Sequence, residues 1–563
     1  MKNAAKISAR IALLEIALAD EPALAWAQGP RERITRATAG EISDAVERLL
    51  ASPSNSSPSD SSPDWVLIWD LSLGVPSLES LAELAAGDAG SGDVWHAGLL
   101  LGQGGRPRLF ETVHPTWMLA CDPPPEQDAT SWRLSLRACL FRPRVWRLGG
   151  PDVGYSSLAG TALELGHRWF WGGAVLRHAP RLLGGDPGGH AGDPAPSLDD
   201  EMRFLFQRTG RFWATWALGR GLLSRRISPS AIACWWRGRG VTKSAVAHLP
   251  PATSSGEDQG PEAVTVLIPT LDRYPYLRVV LEQLTRQSVP PAQVIVIDQT
   301  AAARRQRDWH DQPDLPLLVI ERDEPGQSSA RNAGLLQATG EVILFLDDDV
   351  EMDEQLIARH LHVLHSTGAD ASCGVTEEIG AGPLPAEFRH PRVADVFPTC
   401  NAALRRSALR GSGLFDLAFD FGSRADADLG QRLYLSGALL WLSPSVSVLH
   451  HKAPAGGLCE HKARVATYAA SRRSLTRHLP SVTEIYLARR YGSPASTREM
   501  LWQRVVGTLR TRGSAFHQLR KLVWGLVLLP DTLARIGSRA RKARSMLRDY
   551  PQIPQLPASG GES

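Results

Sequence analysis

Residues Ile343–Leu356 read ILFLDDDVEMDEQL, and the passage from an apolar run into three consecutive aspartates, Asp347, Asp348 and Asp349, decides the fold of this half of the chain. The five apolar residues Val342–Leu346 have the length of a buried strand. Carboxylates that repel one another at a strand end admit two readings. Aspartate favours solvated turns. An α/β sheet also binds its ligands outside the carboxyl ends of its strands, where clustered carboxylates can hold a cation. In extended backbone alternate side chains share a face, so Asp347 and Asp349 can converge on one cation while Asp348 faces elsewhere.

Working outward, short apolar runs recur around this one: VTVLIP (264–269), QVIVID (293–298) and LLVIE (317–321). Helical patterns such as YLRVVLEQLTRQ and SARNAGLLQAT separate them. This alternation predicts a mostly parallel sheet covered by helices over about Val264–His451. At 563 residues the chain exceeds one ordinary domain. Its 43% hydrophobic and 21% charged content reads as globular, and a net charge of +3 gives no reason to expect nucleic acid as a partner. Six scattered cysteines without a CxxC pair argue against a disulfide framework or zinc cluster and fit a reducing, cytoplasmic compartment. No apolar run is long enough to span a bilayer as a helix.

Composition shifts suggest the boundaries. Residues 1–63 form a helical and low-complexity segment in which IALLEIALA reads as a helix, with SPSNSSPSDSSPD as a linker. An N-terminal domain covers 64–247, a linker 248–262, the α/β domain 263–455, and a helical region rich in Arg, Leu and Trp 456–563. In that last region LRKLVWGLVLLPDTLARI (519–536) reads as a helix packed on the α/β domain, with a basic membrane-surface helix as the other reading. EMRFLFQRTGRFWATWALGRGLLSRR (201–226) poses the same choice, and its aromatic stripe reads as core.

Residues 264–451 resemble the family 2 glycosyltransferases. VTVLIPTLDRYPYLRVVLEQLTRQS, VIVIDQT, EPGQSSARNAGLLQATGEVILFLDDDV, CNAALRRSALRGSGLFD, DADLGQRL and VLHH follow one another in that family's order. The resemblance implies a GT-A fold, Rossmann-like, and a metal-dependent, inverting transfer from a nucleotide-sugar donor to a hydroxyl on a glycan, lipid-linked or other acceptor. It places Pro269, Thr270, Asp298, Arg331, Asn332 and Asp347 at the nucleotide sugar. Asp347 and Asp349, with His450 or His451, are implied to hold Mn²⁺ or Mg²⁺, which suits hard carboxylate ligands. Asp426 matches the general base, with Asp428 as the alternative. Ala425 replaces an acid usual in that motif.

The first half carries a degenerate copy of this pattern. Ala138–Leu182 tracks Ala402–Val446, and Asp64–Leu84 tracks the stretch around the triple aspartate. Residues 64–182 are expected to match only the acceptor-side half of the fold. Opposite Asp347–Asp349 stand either Asp70-Leu71-Ser72 or Leu71-Ser72-Leu73; Ala162 replaces Asp426, and Glu164 matches Asp428. A non-catalytic domain that packs, forms a homodimer or extends the acceptor groove follows. Basic C-terminal helices would give peripheral contact with the inner face of the cytoplasmic membrane. The rival readings are a glycan-binding scaffold with a lost site and a nucleotidyltransferase. IPTLDRYPY lacks the glycine-rich basic loop the latter needs.

Overall fold

A computed structural model describes residues 10–17, 23–24, 30–51, 63–87, 92–98, 109–184, 192–250, 262–311, 313–380, 382–453, 456–457, 478–509 and 514–557. Residues 52–62 of the expected Ser/Pro linker and 251–261 of the linker expected at 248–262 lie outside them.

Two mixed sheets dominate. The first contains β1 (Ile11–Ile16), β2 (Arg31–Ile34), β3 (Trp65–Asp70), β4 (Val94–His96), β5 (Ala129–Thr130), β6 (Ala138–Phe141) and β7 (Leu176–His178), in the order β2-β1-β3-β6-β4-β7-β5. The second contains β8 (Val264–Thr270), β9 (Gln293–Asp298), β10 (Leu317–Glu321), β11 (Val342–Leu346), β12 (Val350–Glu351), β13 (Ala371–Glu378), β14 (Arg392–Val393), β15 (Asn401–Arg405) and β16 (Leu440–His450). Its order is β10-β9-β8-β11-β15-β13-β16-β12, with β14 on β16. Strands β10, β9, β8 and β11 run parallel and are apolar on both faces where helices cover them, as the alternation predicts. The GT-A expectation of a Rossmann-like, mostly parallel half joined to an antiparallel half fits this sheet.

The first sheet repeats the second strand for strand, since β2-β1-β3-β6-β4-β7-β5 matches β9-β8-β11-β15-β13-β16-β14. Hydrogen bonds fix the register of the match. The Arg142 amide donates to Asp93 O and the Val175 amide to the Asp93 carboxylate; Arg405 and Leu439 make the same two bonds to Asp370. Aligned on those bonds, the β3–β6 and β11–β15 ladders set Trp69 against Leu346. Asp70-Leu71-Ser72 therefore stands where Asp347-Asp348-Asp349 stands. Carried through β1 and β2, the same register puts Thr35 at the position of Asp298.

Two expectations are corrected here. Ile11–Ile16 is a strand, not a helix, and is buried at all six positions. Six residues, IALLEI, are too few to carry a period by which strand and helix can be told apart. The first half also holds more than the acceptor-side half of the fold, because β1 and β2 supply the parallel strands expected to be missing.

One apolar core runs through both domains, and a second lies on the outer face of the first sheet under the helix Leu78–Ala86. The stretch 201–226 belongs to two helices, Leu198–Arg208 and Arg211–Leu223, with Gly210 at φ 86° between them. Met202, Phe204, Leu205 and Phe206 are core, as its stripe implies. At the C-terminus helices Val482–Tyr491, Pro494–Leu509, Ala515–Val527 and Leu529–Asp549 follow. The stretch 519–536 is thus two helices meeting at Leu528, ahead of Pro530, and most of the first is exposed rather than packed. None of the described helices is long and apolar enough to cross a membrane.

Candidate active site

The triple aspartate leaves the carboxyl end of β11, and β16 delivers His450 to the same place, because Val350 pairs with His450 across β12 and β16. One ligand atom each from Asp347, Asp349 and His450 lie within 4.8 Å of one another. Asp348 points the other way, as alternation requires. Its carboxylate accepts from the Thr270 hydroxyl at 2.7 Å and from Arg273 at 3.1 Å. Burial pushes it up to about 7 in spite of those two partners. It is a supporting residue under the loop, not part of the cluster.

Asp349 is the most strongly held of the three. His450 Nε2 lies 3.1 Å from Oδ1, the Ala453 amide donates to Oδ2 at 2.8 Å, and Arg273 Nη1 stands 3.3 Å from Oδ2. Burial alone would raise its pKa, but these partners hold it at about 2. His450 is shifted upward: burial works against its charge, and Asp349 and Asp347 outweigh burial. Asp347 accepts from Arg331 Nη2 at 3.1 Å. His451 faces away, 2.5 Å from Glu351 and against the Tyr276 ring, so the structure separates the two histidines by strand alternation. Two carboxylates and an imidazole form a hard donor set that fits Mn²⁺ or Mg²⁺.

The other expected residues fall into two groups. Pro269 and Thr270 end β8 beside the cluster, and Arg331 lies in the helix Gln327–Gln337. Asp298 and Asn332, by contrast, are engaged inside the protein. Asp298 is fully buried, accepting from the Tyr274 hydroxyl and the Thr300 amide at 2.9 Å each. Asn332 exchanges two 2.8 Å bonds with the backbone of Phe415.

Asp426 and Asp428 open the helix Ala425–Leu435 and have different surroundings. Asp428 is buried, bound to Arg432 through Oδ2 at 2.7 and 3.0 Å and to the Tyr491 hydroxyl at 2.8 Å. Asp426 is exposed and lines a cleft of about 1250 Å³. Burial pushes the Cys400 thiol up to about 12, with both Asp347 and Asp426 adding to the effect. The cleft is built by three parts of the chain: Thr376 and Phe388 of the second domain, Trp117 and Met118 of the first, and Leu487 and Tyr491 of the C-terminal helices.

Arg273 was not singled out from the sequence, where it looks like an ordinary cation at a helix start. Its neighbour Asp272 has φ 56°, Arg424 ahead of Asp426 has φ 84°, and Lys452 behind the histidines has φ 52°. Left-handed backbone at residues with a Cβ is uncommon, and three of the four described instances border this site.

Fold and site together put two carboxylates and an imidazole at the carboxyl edge of a mixed α/β sheet, next to Leu449 in the wall of the cleft. Residues 265–424 match the model of the Glycosyl transferase family 2. Succinoglycan biosynthesis protein ExoM of Rhizobium meliloti is 28% identical over 218 residues, 36% of this chain and 69% of that protein. Glycosyltransferase AglE of Haloferax volcanii is 29% identical over 119 residues, 20% of this chain and 39% of that protein, so the match spans well under half of this second relative. Among solved structures, mannosyltransferase PcManGT from Pyrobaculum calidifontis, in complex with GDP-Man and Mn²⁺, is 18% identical with a TM-score of 0.34, covering 54% of this chain and 91% of that one.

Proposed function

We propose that the chain is a metal-dependent, inverting glycosyltransferase that moves a sugar from a nucleotide-sugar donor to a hydroxyl acceptor, in the synthesis of a cell-surface glycan or glycolipid. The observation that carries this reading is the convergence of Asp347, Asp349 and His450 beside a cleft into which Asp426 is free to act. A divalent cation bound there would neutralise the charge that develops on the departing diphosphate. Asp349, already ionised and anchored by the Ala453 amide, gives that position a fixed negative charge. Arg331 orients Asp347 from the helix beside it, and Arg273 adds a guanidinium at the rim.

In the transfer step Asp426 takes the acceptor hydroxyl proton as the acceptor oxygen bonds to the anomeric carbon and the sugar–phosphate bond breaks. Asp428 holds the helix through Arg432 and Tyr491, which leaves Asp426 as the base. The first domain serves the acceptor side of the cleft through Trp117, whose indole N–H is fixed by Asp395 at 2.8 Å and whose ring stacks on Trp171. A scaffold with a lost site would need none of this. The test is a thermal-shift panel of UDP- and GDP-sugars with and without Mn²⁺, followed by a nucleotide-release assay with the hit. A metal-dependent shift and release of the nucleoside diphosphate are expected. A panel with no shift for any donor would refute the reading.

A further inference from the structure

The helix Ala515–Val527 is inside out. Its inward stripe is His517, Lys521 and Gly525, spaced four apart, and only Lys521 and Gly525 are buried. At Gly525 an added Cβ would come within 3.0 Å of the Thr508 carbonyl, so the helix sits close on the end of Pro494–Leu509 through its smallest residue. Its outward faces carry Phe516 (74% exposed), Val527 (66%), Leu519 (59%), Val523, Trp524, Leu526 and Leu522. A water-facing helix normally shows the opposite arrangement, with the apolar stripe against the core. A contiguous apolar surface of this kind marks an interaction site.

The chemistry next to it says what covers it. Through Leu528 the chain passes directly into the helix Leu529–Asp549, which carries Arg535, Arg539, Arg541, Lys542, Arg544 and Arg548 against only Asp531 and Asp549. Thr532, Ile536 and Ala543 form its buried stripe, and Arg541, Lys542, Arg544 and Arg548 are exposed. Arg520 adds an exposed cation on the apolar helix itself. Exposed leucine, valine, phenylalanine and tryptophan beside a basic helix suit the headgroup boundary of an anionic bilayer, which takes apolar side chains and attracts Lys and Arg. A protein partner would be equally served by the apolar face, but the chain has a near-neutral net charge of +3 and concentrates cations here.

We infer that Ala515–Val527 is a membrane-surface helix that docks the protein peripherally on an anionic phospholipid bilayer, with the basic helix Leu529–Asp549 supplying electrostatic attraction. The inference does not depend on the transfer reaction. It is tested with the full chain in a flotation assay on vesicles of phosphatidylcholine alone and of phosphatidylcholine with phosphatidylglycerol. Binding to the anionic vesicles, weakened by salt, is expected for the parent chain. L522S/W524S/V527S should lower the partition coefficient at least about tenfold, since it removes apolar side chains that would enter the bilayer boundary. R541Q/K542Q/R544Q should lower it on anionic vesicles alone. These side chains are exposed, so both variants should keep the parent melting temperature, which serves as the folding control. Absence of vesicle binding by the parent, or undiminished binding by the serine variant, would overturn the inference. So would a parent that is dimeric in solution and does not float, with the serine variant monomeric, since the face would then be a contact between copies.

Discussion

Asp426 and Asp428 lie two residues apart in one turn of helix, yet packing gives them opposite characters. Burial raises Asp428, and Arg432 and Tyr491 occupy its oxygens. Asp426 keeps its carboxylate in the cleft. Asp426→Asn should therefore lower transfer by about 10²–10⁴-fold while the affinity for the donor nucleotide, measured by calorimetry, stays within a factor of about two; retained turnover would exclude Asp426 as the base. The histidines divide in the same way. His450→Gln should weaken Mn²⁺ binding by about tenfold or more, and His451→Gln much less; electron paramagnetic resonance of free Mn²⁺ reads both. From the sequence the pair was undecidable, because neighbours on a strand face opposite ways and only the pairing of β12 with β16 says which way. Asp348 was the legible member of its triplet, since alternation alone turns it from the other two.

At the scale of elements, the comparison of β3 with β11 shows what the second domain keeps for chemistry. Of the triple aspartate only the first has a counterpart, Asp70, and a guanidinium stands against it. Arg137 Nε is 2.7 Å from Asp70, and Arg137 also reaches Asp193 at 3.3 Å and Ser72 at 3.2 Å. A fixed cation thus balances, in the first domain, the acid whose equivalent Asp347 belongs to the three-ligand cluster in the second. Arg137→Leu should cost about 3–5 kcal/mol, because it removes the guanidinium that balances two buried carboxylates. Urea unfolding measures that loss, and turnover per folded molecule should be unchanged. Loss of turnover without loss of stability would contradict a purely structural Arg137. The repeat itself was readable from the spacing around Ala138 and Ala402, but not its extent. The strand β1 is too short to show a period, and β2, with the sequence RERI, has three of its four positions at least partly exposed. What identifies them is pairing, β1 with β3 and β2 with β1, and local sequence does not encode the long-range contact with β3.

At the scale of the molecule, the two sheets share one core, and buried histidines are placed throughout it. The parallel strands of the second domain were legible because strands buried on both faces leave continuous apolar runs. The cleft was not, since its walls come from segments hundreds of residues apart. The histidines give that shared core a pH signature. Burial lowers His96 to about 3, His178 and His360 to about 4, and His167 well below its ordinary value, although His96 and His178 keep backbone hydrogen bonds and His360 bridges Ser372 and Asn401. Each is neutral in the folded state and takes up a proton near pH 6.5 once unfolded. Between those values the unfolded chain binds more protons, so stability rises with pH there and falls on acidification. Each histidine contributes at most about 1.4 kcal/mol per pH unit. The urea midpoint should drop from about pH 6.5 towards 4, well before Asp349 begins to protonate, with Asp348, held protonated by the fold up to about 7, offsetting about one histidine's share. His360→Gln, which keeps a side-chain amide between Ser372 and Asn401 without a titrating group, should reduce that slope by about a quarter of the four-histidine total. A midpoint that does not move between pH ~7 and ~5 would mean these rings are not held neutral by the fold.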